Sequence, residues 1–267
     1  MNFLDTIVEH KTAEVSRRRR DTRVSSLSEM EYFSRTTIPM RDALLTAETF
    51  GVIAEIKRSS PSAGTFAAGI DPAKVAQEYL LNGASAISVL TDERFFCGSL
   101  ADLHAVRSAT KDGPLLMKEF IIDDYQVFEA KAYGADAVLL IATILERSRL
   151  ADLFASAKEL GLECLVELYE AKEIDRLDLD TMKLIGVNNR DLRTFTVDLN
   201  RTISLAQLLP PDMTLVSESG IQSVVHLQRL QRAGVRAALI GEYLMRFEFP
   251  GKALNELLKG LRNETDS

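Results

Sequence analysis

Eight short apolar runs, each followed by a stretch of helical character, recur along the chain, and this repetition limits the fold more than any other feature. They cover residues 52–57, 86–90, 115–120, 137–141, 164–168, 184–188, 214–218 and 237–241. Their starts lie about 20 to 35 residues apart, the length of one strand–helix unit, and near-continuous apolar runs mark strands buried on both faces of a parallel sheet. Eight such units predict a closed α/β fold, a (β/α)8 TIM barrel. An open doubly wound sheet shows the same alternation, but no G-x-G-x-x-G follows the first run and the eighth unit ends near the end of the chain. The intervening segments carry helix punctuation. Asp71-Pro72 caps a helix expected over 73–81, Asn82-Gly83 stops it, and similar stops stand at Gly134, Gly161 and Gly234.

Residues 1–50 read differently, as an N-terminal helical extension, with Phe3, Leu4, Ile7, Val8 and Val15 near helical spacing. Residues 51–267 form the barrel, and the two parts are expected to make a single domain. The basic run Arg17 to Arg20 reads as a solvated helix end. With 32 Lys+Arg against 39 Asp+Glu, the net charge of -7 argues against a nucleic-acid partner or a polybasic membrane patch. An anionic ligand would have to be drawn by a local cationic cluster and by backbone N–H groups. Cys97 and Cys164 are too few for a disulfide framework, no leader-like segment opens the chain, and no apolar run is long enough to span a bilayer. A cytoplasmic protein with no membrane partner is expected.

In a barrel, reacting groups lie at the C-terminal ends of strands, so ionisable residues ending apolar runs are informative. Period two puts Ile53, Glu55 and Lys57 on one face of the first strand. The third ends with Lys118 and Phe120 on one face and Glu119 on the other; the fifth ends at Glu167 and the sixth at Asn188, followed by Arg190. Charges plugging the barrel as ion pairs are the structural alternative for any one of these, but four polar strand ends of alternating sign point to a reaction centre. The histidines lie away from strand ends, and neither they nor the carboxylates cluster as a metal site requires. Ser219-Gly220 after the seventh strand and Gly241-Glu242 after the eighth match the loops that cradle phosphate in this fold. The Glu242 carboxylate is expected to turn away from such an anion while its N–H donates.

The segments Glu55-Ile-Lys57-Arg-Ser-Ser60-Pro-Ser, Leu90-Thr-Asp-Glu, Met117-Lys118-Glu-Phe120, Gly186-Val-Asn188-Asn-Arg190-Asp-Leu, Ser217-Glu-Ser219-Gly220-Ile and Leu239-Ile-Gly241-Glu242-Tyr-Leu-Met resemble the indole-3-glycerol phosphate synthase family. The resemblance runs from about residue 3 to about residue 250 and includes the helical extension, which in the family covers the barrel mouth. Ala63 and Phe95 depart from it, standing where lysine and tyrosine are frequent. The resemblance implies ring closure, decarboxylation and dehydration of a phosphorylated substrate, with no cofactor and no metal. It makes Lys118 the acid that protonates the ketone and Glu167 a second proton-transfer group. Glu55 resembles a base for dehydration, with Lys57 as an acid or as partner of the substrate carboxylate. Asn188 would orient the substrate, Phe120 would pack on its aromatic ring, and Arg190 would pair with Glu55 or with the loop after the first strand. Ser60, Ser219, Gly220, Leu239, Gly241 and Glu242 are carried over as binding positions, most of them for phosphate. A monomer is expected, with a weak homodimer as the alternative. A phosphate-handling isomerase barrel and a non-catalytic sugar-phosphate sensor are the rival readings.

Overall fold

The computed structural model describes residues 3–60, 64–65, 69–191 and 194–265. Eight parallel strands close on themselves: β1 (Gly51–Ile56), β2 (Ala86–Leu90), β3 (Leu115–Lys118), β4 (Ala137–Ile141), β5 (Glu163–Leu168), β6 (Leu184–Asn188), β7 (Thr214–Glu218) and β8 (Ala237–Ile240). Each pairs with its sequence neighbours, and β1 pairs with β8 through Gly51↔Ala237 to Ala54↔Ile240, which excludes the open sheet. Every strand falls within two residues of its expected span. The differences are of one or two residues: β3 stops at Lys118 rather than 120 and β8 at Ile240 rather than 241, β1 runs one residue earlier than expected at both ends, and β5 begins at Glu163 rather than 164.

Two apolar layers follow from period two. Ile53, Leu116, Leu139, Leu165, Val216 and Leu239 fill the barrel interior, while Val52, Ile87, Met117, Val138, Val166 and Ile185 pack outward against the helices. Asp71 accepts from the N–H groups of Ala73 (3.0 Å) and Lys74 (3.4 Å) and caps the helix Pro72–Leu81, as expected from Asp-Pro. Gly83, Gly134, Gly161 and Gly234 take left-handed φ of 97°, 89°, 73° and 79°, the backbone state that a helix stop demands and side chains resist.

The first fifty residues contribute α1 (Phe3–Asp21), α2 (Val24–Ser28) and α3 (Met40–Leu45), which serve different ends of the barrel. Ile7 of α1 joins the interior cluster beside Phe120. Met40 and Leu44 of α3 join it from the opposite end, where the Met40 and Arg41 N–H groups donate to Glu163 at the start of β5 (2.5 and 2.9 Å). The basic run is not uniformly solvated. Arg18 lies largely buried, bonded to Glu14 (2.8 Å) and Glu129 (2.7 Å), so α1 is tied to the barrel's outer helices through the residue expected to face water. No helix among the described residues is long and apolar enough to cross a membrane.

Candidate active site

The C-terminal strand ends converge on one pocket lined by Glu55, Lys57, Lys118, Phe120, Glu167, Asn188, Arg190, Glu218, Ser219, Gly220, Leu239, Gly241 and Glu242. Phe3 and Ile7 of α1 also line it, together with Phe96 and Phe195. Of the thirteen residues singled out from sequence, twelve therefore meet in one place; the Ser60 side chain lies outside the described residues, as does Ala63.

Lys118 occupies the centre. Its Nζ lies 3.3 Å from Glu167 Oε2 and also donates to Glu218 Oε2, so one ammonium from β3 bridges carboxylates from β5 and β7. Burial opposes that charge, but Glu218, Glu167 and Glu55 outweigh it and hold the lysine above its ordinary pKa. Lys118 is therefore an ammonium at neutral pH. Glu218 shows the opposite balance: burial and the neighbouring Glu167 push its carboxyl up, against the pull of Lys118. Its other oxygen, Oε1, is buried and has no hydrogen-bond partner among the described residues. Glu218 therefore holds its proton to a higher pH than an ordinary carboxyl does.

Glu218 was not singled out from sequence, where its segment drew notice for small residues. The signal was present: Val216 faces the interior, and period two carries that face to Glu218, by the argument that finds Glu55.

Asn188 ties the centre to the next loop. Its Nδ2 donates to Glu167 Oε1 (3.2 Å), while its Oδ1 accepts from the Arg190 N–H (3.0 Å) and Ser219 Oγ (3.0 Å). A second ion pair, Glu55 of β1 with Lys57 just beyond the strand, measures 2.9 Å. This corrects one expectation for Arg190: the carboxylate of Glu55 is engaged by Lys57, and Arg190 reaches Glu242 (3.2 Å) and the Phe195 carbonyl (3.4 Å). The loop offered as its other partner lies largely outside the described residues. Glu242 is held by Arg190 and by Arg246 (2.6 Å). Phe120 packs at 6.0 Å from Phe96, and the two rings give the pocket an aromatic, apolar wall. Glu119 turns the other way, to Lys11 of α1 at 3.1 Å.

Two glycines clear space for carboxylates. A Cβ at Gly241 would overlap Glu55 Oε2, and one at Gly186, which pairs in register with Glu167, would overlap Glu218 Oε1. Gly241 thus serves more than the backbone approach inferred from sequence. Gly186→Ala must push Glu218 off Lys118, and a misplacement near 1 Å lowers rates by about 10²-fold. Steady-state kinetics beside thermal unfolding should show kcat falling by at least about tenfold with the fold retained; unchanged kcat would mean that the Glu218 placement is irrelevant to turnover.

The family model for indole-3-glycerol phosphate synthase matches residues 4–257. An indole-3-glycerol phosphate synthase of Salinibacter ruber is 45% identical over 258 residues, covering 96% of this chain and 95% of the relative. One of Desulfotalea psychrophila is 44% identical over 259 residues, covering 96% and 98%. Among solved structures, the tryptophan synthase alpha subunit of Legionella pneumophila superposes with a TM-score of 0.61 at 12% identity, covering 85% of this chain and 99% of that one. Thiamine phosphate pyrophosphorylase of Pyrococcus furiosus gives 0.60 at 16%, covering 84% and 98%. At those identities the structural matches speak to the fold alone.

Proposed function

Because this chain belongs to the indole-3-glycerol phosphate synthase family, we propose that the strand-end pocket closes the indole ring by general acid–base catalysis centred on Lys118. The activity is a carbon–carbon lyase step of tryptophan biosynthesis: 1-(2-carboxyphenylamino)-1-deoxyribulose 5-phosphate becomes indole-3-glycerol phosphate, with loss of carbon dioxide and water. The observation that carries the assignment of roles is the Lys118 ammonium held between Glu167 and Glu218 against an aromatic wall.

The aromatic carbon bearing the carboxylate attacks the ketone, and Lys118 delivers a proton to the carbonyl oxygen as negative charge develops there. The carbon–carboxylate bond then breaks, and its electron pair restores the aromatic ring as carbon dioxide leaves. Dehydration removes the new hydroxyl as water and a proton from the substrate. Glu167 stands beside Lys118 and Asn188, in reach of the same atoms, as the second proton-transfer group. Glu55 is the base that completes dehydration. Lys57, its partner at 2.9 Å, supplies a proton or neutralises the substrate carboxylate. Phe120 packs on the anthranilate ring, and Leu239 is a further binding position. Ser60 and the backbone groups of Ser219, Gly220, Gly241 and Glu242 take the phosphate. The Arg190–Glu242–Arg246 pairing keeps the Glu242 carboxylate off that anion.

Residues 1–50 act as an extension of a single-domain barrel, with α1 over its mouth. The protein works as a monomer, a weak homodimer being the alternative, in the cytoplasm, where its two free thiols stay reduced.

Mixing the protein with 1-(2-carboxyphenylamino)-1-deoxyribulose 5-phosphate, without metal or cofactor, should release carbon dioxide and develop indole fluorescence in equal amounts. The chain has no Trp, so the background is low. Binding without either product would sink the assignment in favour of an isomerase or a sensor. For Glu167→Gln, kcat should fall by at least about 10²-fold, the low end for a general acid–base group. Unchanged turnover would remove Glu167 from the mechanism.

A further inference from the structure

Asn189 is fully buried behind the pocket and does not line it, yet its side chain is more heavily bonded than that of Asn188. Its Nδ2 donates to Ser217 Oγ (3.0 Å) and to the carbonyls of Glu218 (2.9 Å) and Ser219 (3.1 Å). Its Oδ1 accepts from the N–H (3.2 Å) and the hydroxyl (2.8 Å) of Thr202. Its backbone N–H also donates to the Glu218 carbonyl at 2.9 Å. A primary amide is the side chain that can donate on one side and accept on the other in this way.

In a trans peptide the C=O and the following N–H point in opposite directions. Gripping the Glu218 and Ser219 carbonyls from behind therefore turns the N–H groups of Ser219 and Gly220 forward, and both residues line the pocket. Neither N–H meets an acceptor among the described residues. The conformation is not one that the loop would hold unaided: Ser219 takes φ 69° and Gly220 φ 82°, and a non-glycine residue stays left-handed only where its surroundings force it.

We propose that Asn189 is a positioning residue for substrate binding, which aims the N–H groups of Ser219 and Gly220 at the substrate's phosphate; this rests on the reading of that loop as the phosphate cradle. Asn189 touches no reacting atom. It acts by fixing two peptide planes, so its removal weakens binding of ground state and transition state alike and should appear in KM rather than in kcat.

The test uses Asn189→Asp, which matches the side chain in shape and still accepts from Thr202 but cannot donate to the carbonyls, together with Thr202→Val, a milder loss of the anchor behind it. The readouts are KM, kcat and the competitive inhibition constant of inorganic phosphate, with thermal unfolding to show that each variant is folded. Asn189→Asp should raise both KM and the phosphate constant by at least about tenfold, since hydrogen bonds to charged groups are the stronger class, with kcat within about twofold. Thr202→Val should shift them the same way by less, and it carries the test if the aspartate variant does not fold. Unchanged constants in a folded variant, while phosphate still competes in the parent, would overturn the positioning role. A fall in kcat at constant KM would overturn it as well, by showing that Asn189 acts through Glu218. If phosphate fails to compete in the parent protein, the cradle reading falls first and the inference falls with it.

Discussion

Lys118→Met is expected to lower kcat by at least about 10³-fold, since it removes a general acid and the charge facing the developing oxyanion at once. Binding should survive, because the aromatic wall and the loops after β7 and β8 are untouched and methionine fills most of the space of the lysine stem. The variant also leaves Glu167 and Glu218 facing each other with no ammonium between them. One of the two must then hold a proton across the neutral range, because like charges that close do not both ionise. Stopped-flow turnover and calorimetric binding of indole-3-glycerol phosphate separate the two effects. A kcat within tenfold of the parent would mean that another group protonates the ketone.

Lys11→Met is expected to be the most damaging change outside the pocket. Lys11 of α1 is fully buried and pairs with Glu14 (2.9 Å), Asp92 (2.9 Å) and Glu119 (3.1 Å). Burial acts against its charge, yet Glu119 and Asp92 hold its pKa above the ordinary value. Asp92 also caps the helix Glu93–Phe96, and the Glu119 carboxylate accepts from the Phe120 N–H at 2.7 Å. One ammonium therefore fixes α1, the Phe96 helix and the Phe120 wall together. Breaking a buried ion network from one side costs about 3–5 kcal/mol, which in a chain of this size lowers Tm by roughly 10 °C. The deficit should grow with pH. Burial already raises the Glu119 pKa, and losing Lys11 raises it further, so the stability linked to its bound proton is present in acid and lost as pH rises through the raised value. Thermal unfolding at pH 5 and pH 8 checks both parts; equal loss at the two values would show that the carboxylates find other partners.

The barrel was legible because its signal is repetition: eight apolar runs and glycine stops at set intervals survive an error of a residue at any end. The pocket was legible for a related reason. A polar or charged group ending a run that is otherwise buried costs too much to be accidental, and Glu55, Lys118, Glu167 and Asn188 all announce themselves in that way. What stayed hidden depends on relations between strands. Nothing in the sequence tells which carboxylate shares Lys118, that Glu242 rather than Glu55 meets Arg190, or that Gly186 is small so that Glu218 can lean across it. The Arg18 error has the same origin: helix periodicity gives the face of α1, but only its docking on the barrel's outer helices decides which arginine meets Glu129.

The seam at which Gly51 of β1 meets Ala237 of β8 joins the first and the last strand of the barrel, which are far apart in sequence. During synthesis from the N terminus, β1 can find β2 early but must wait for residues 237–240 before its other flank is covered. Until then it presents an unsatisfied ladder edge, the kind of surface that recruits foreign strands. Pairings so distant in sequence also slow folding, since the intervening loop must be ordered before the contact returns anything. The last unit of the barrel is therefore the step on which every earlier one depends: a truncation within β8 would remove one strand and expose two edges.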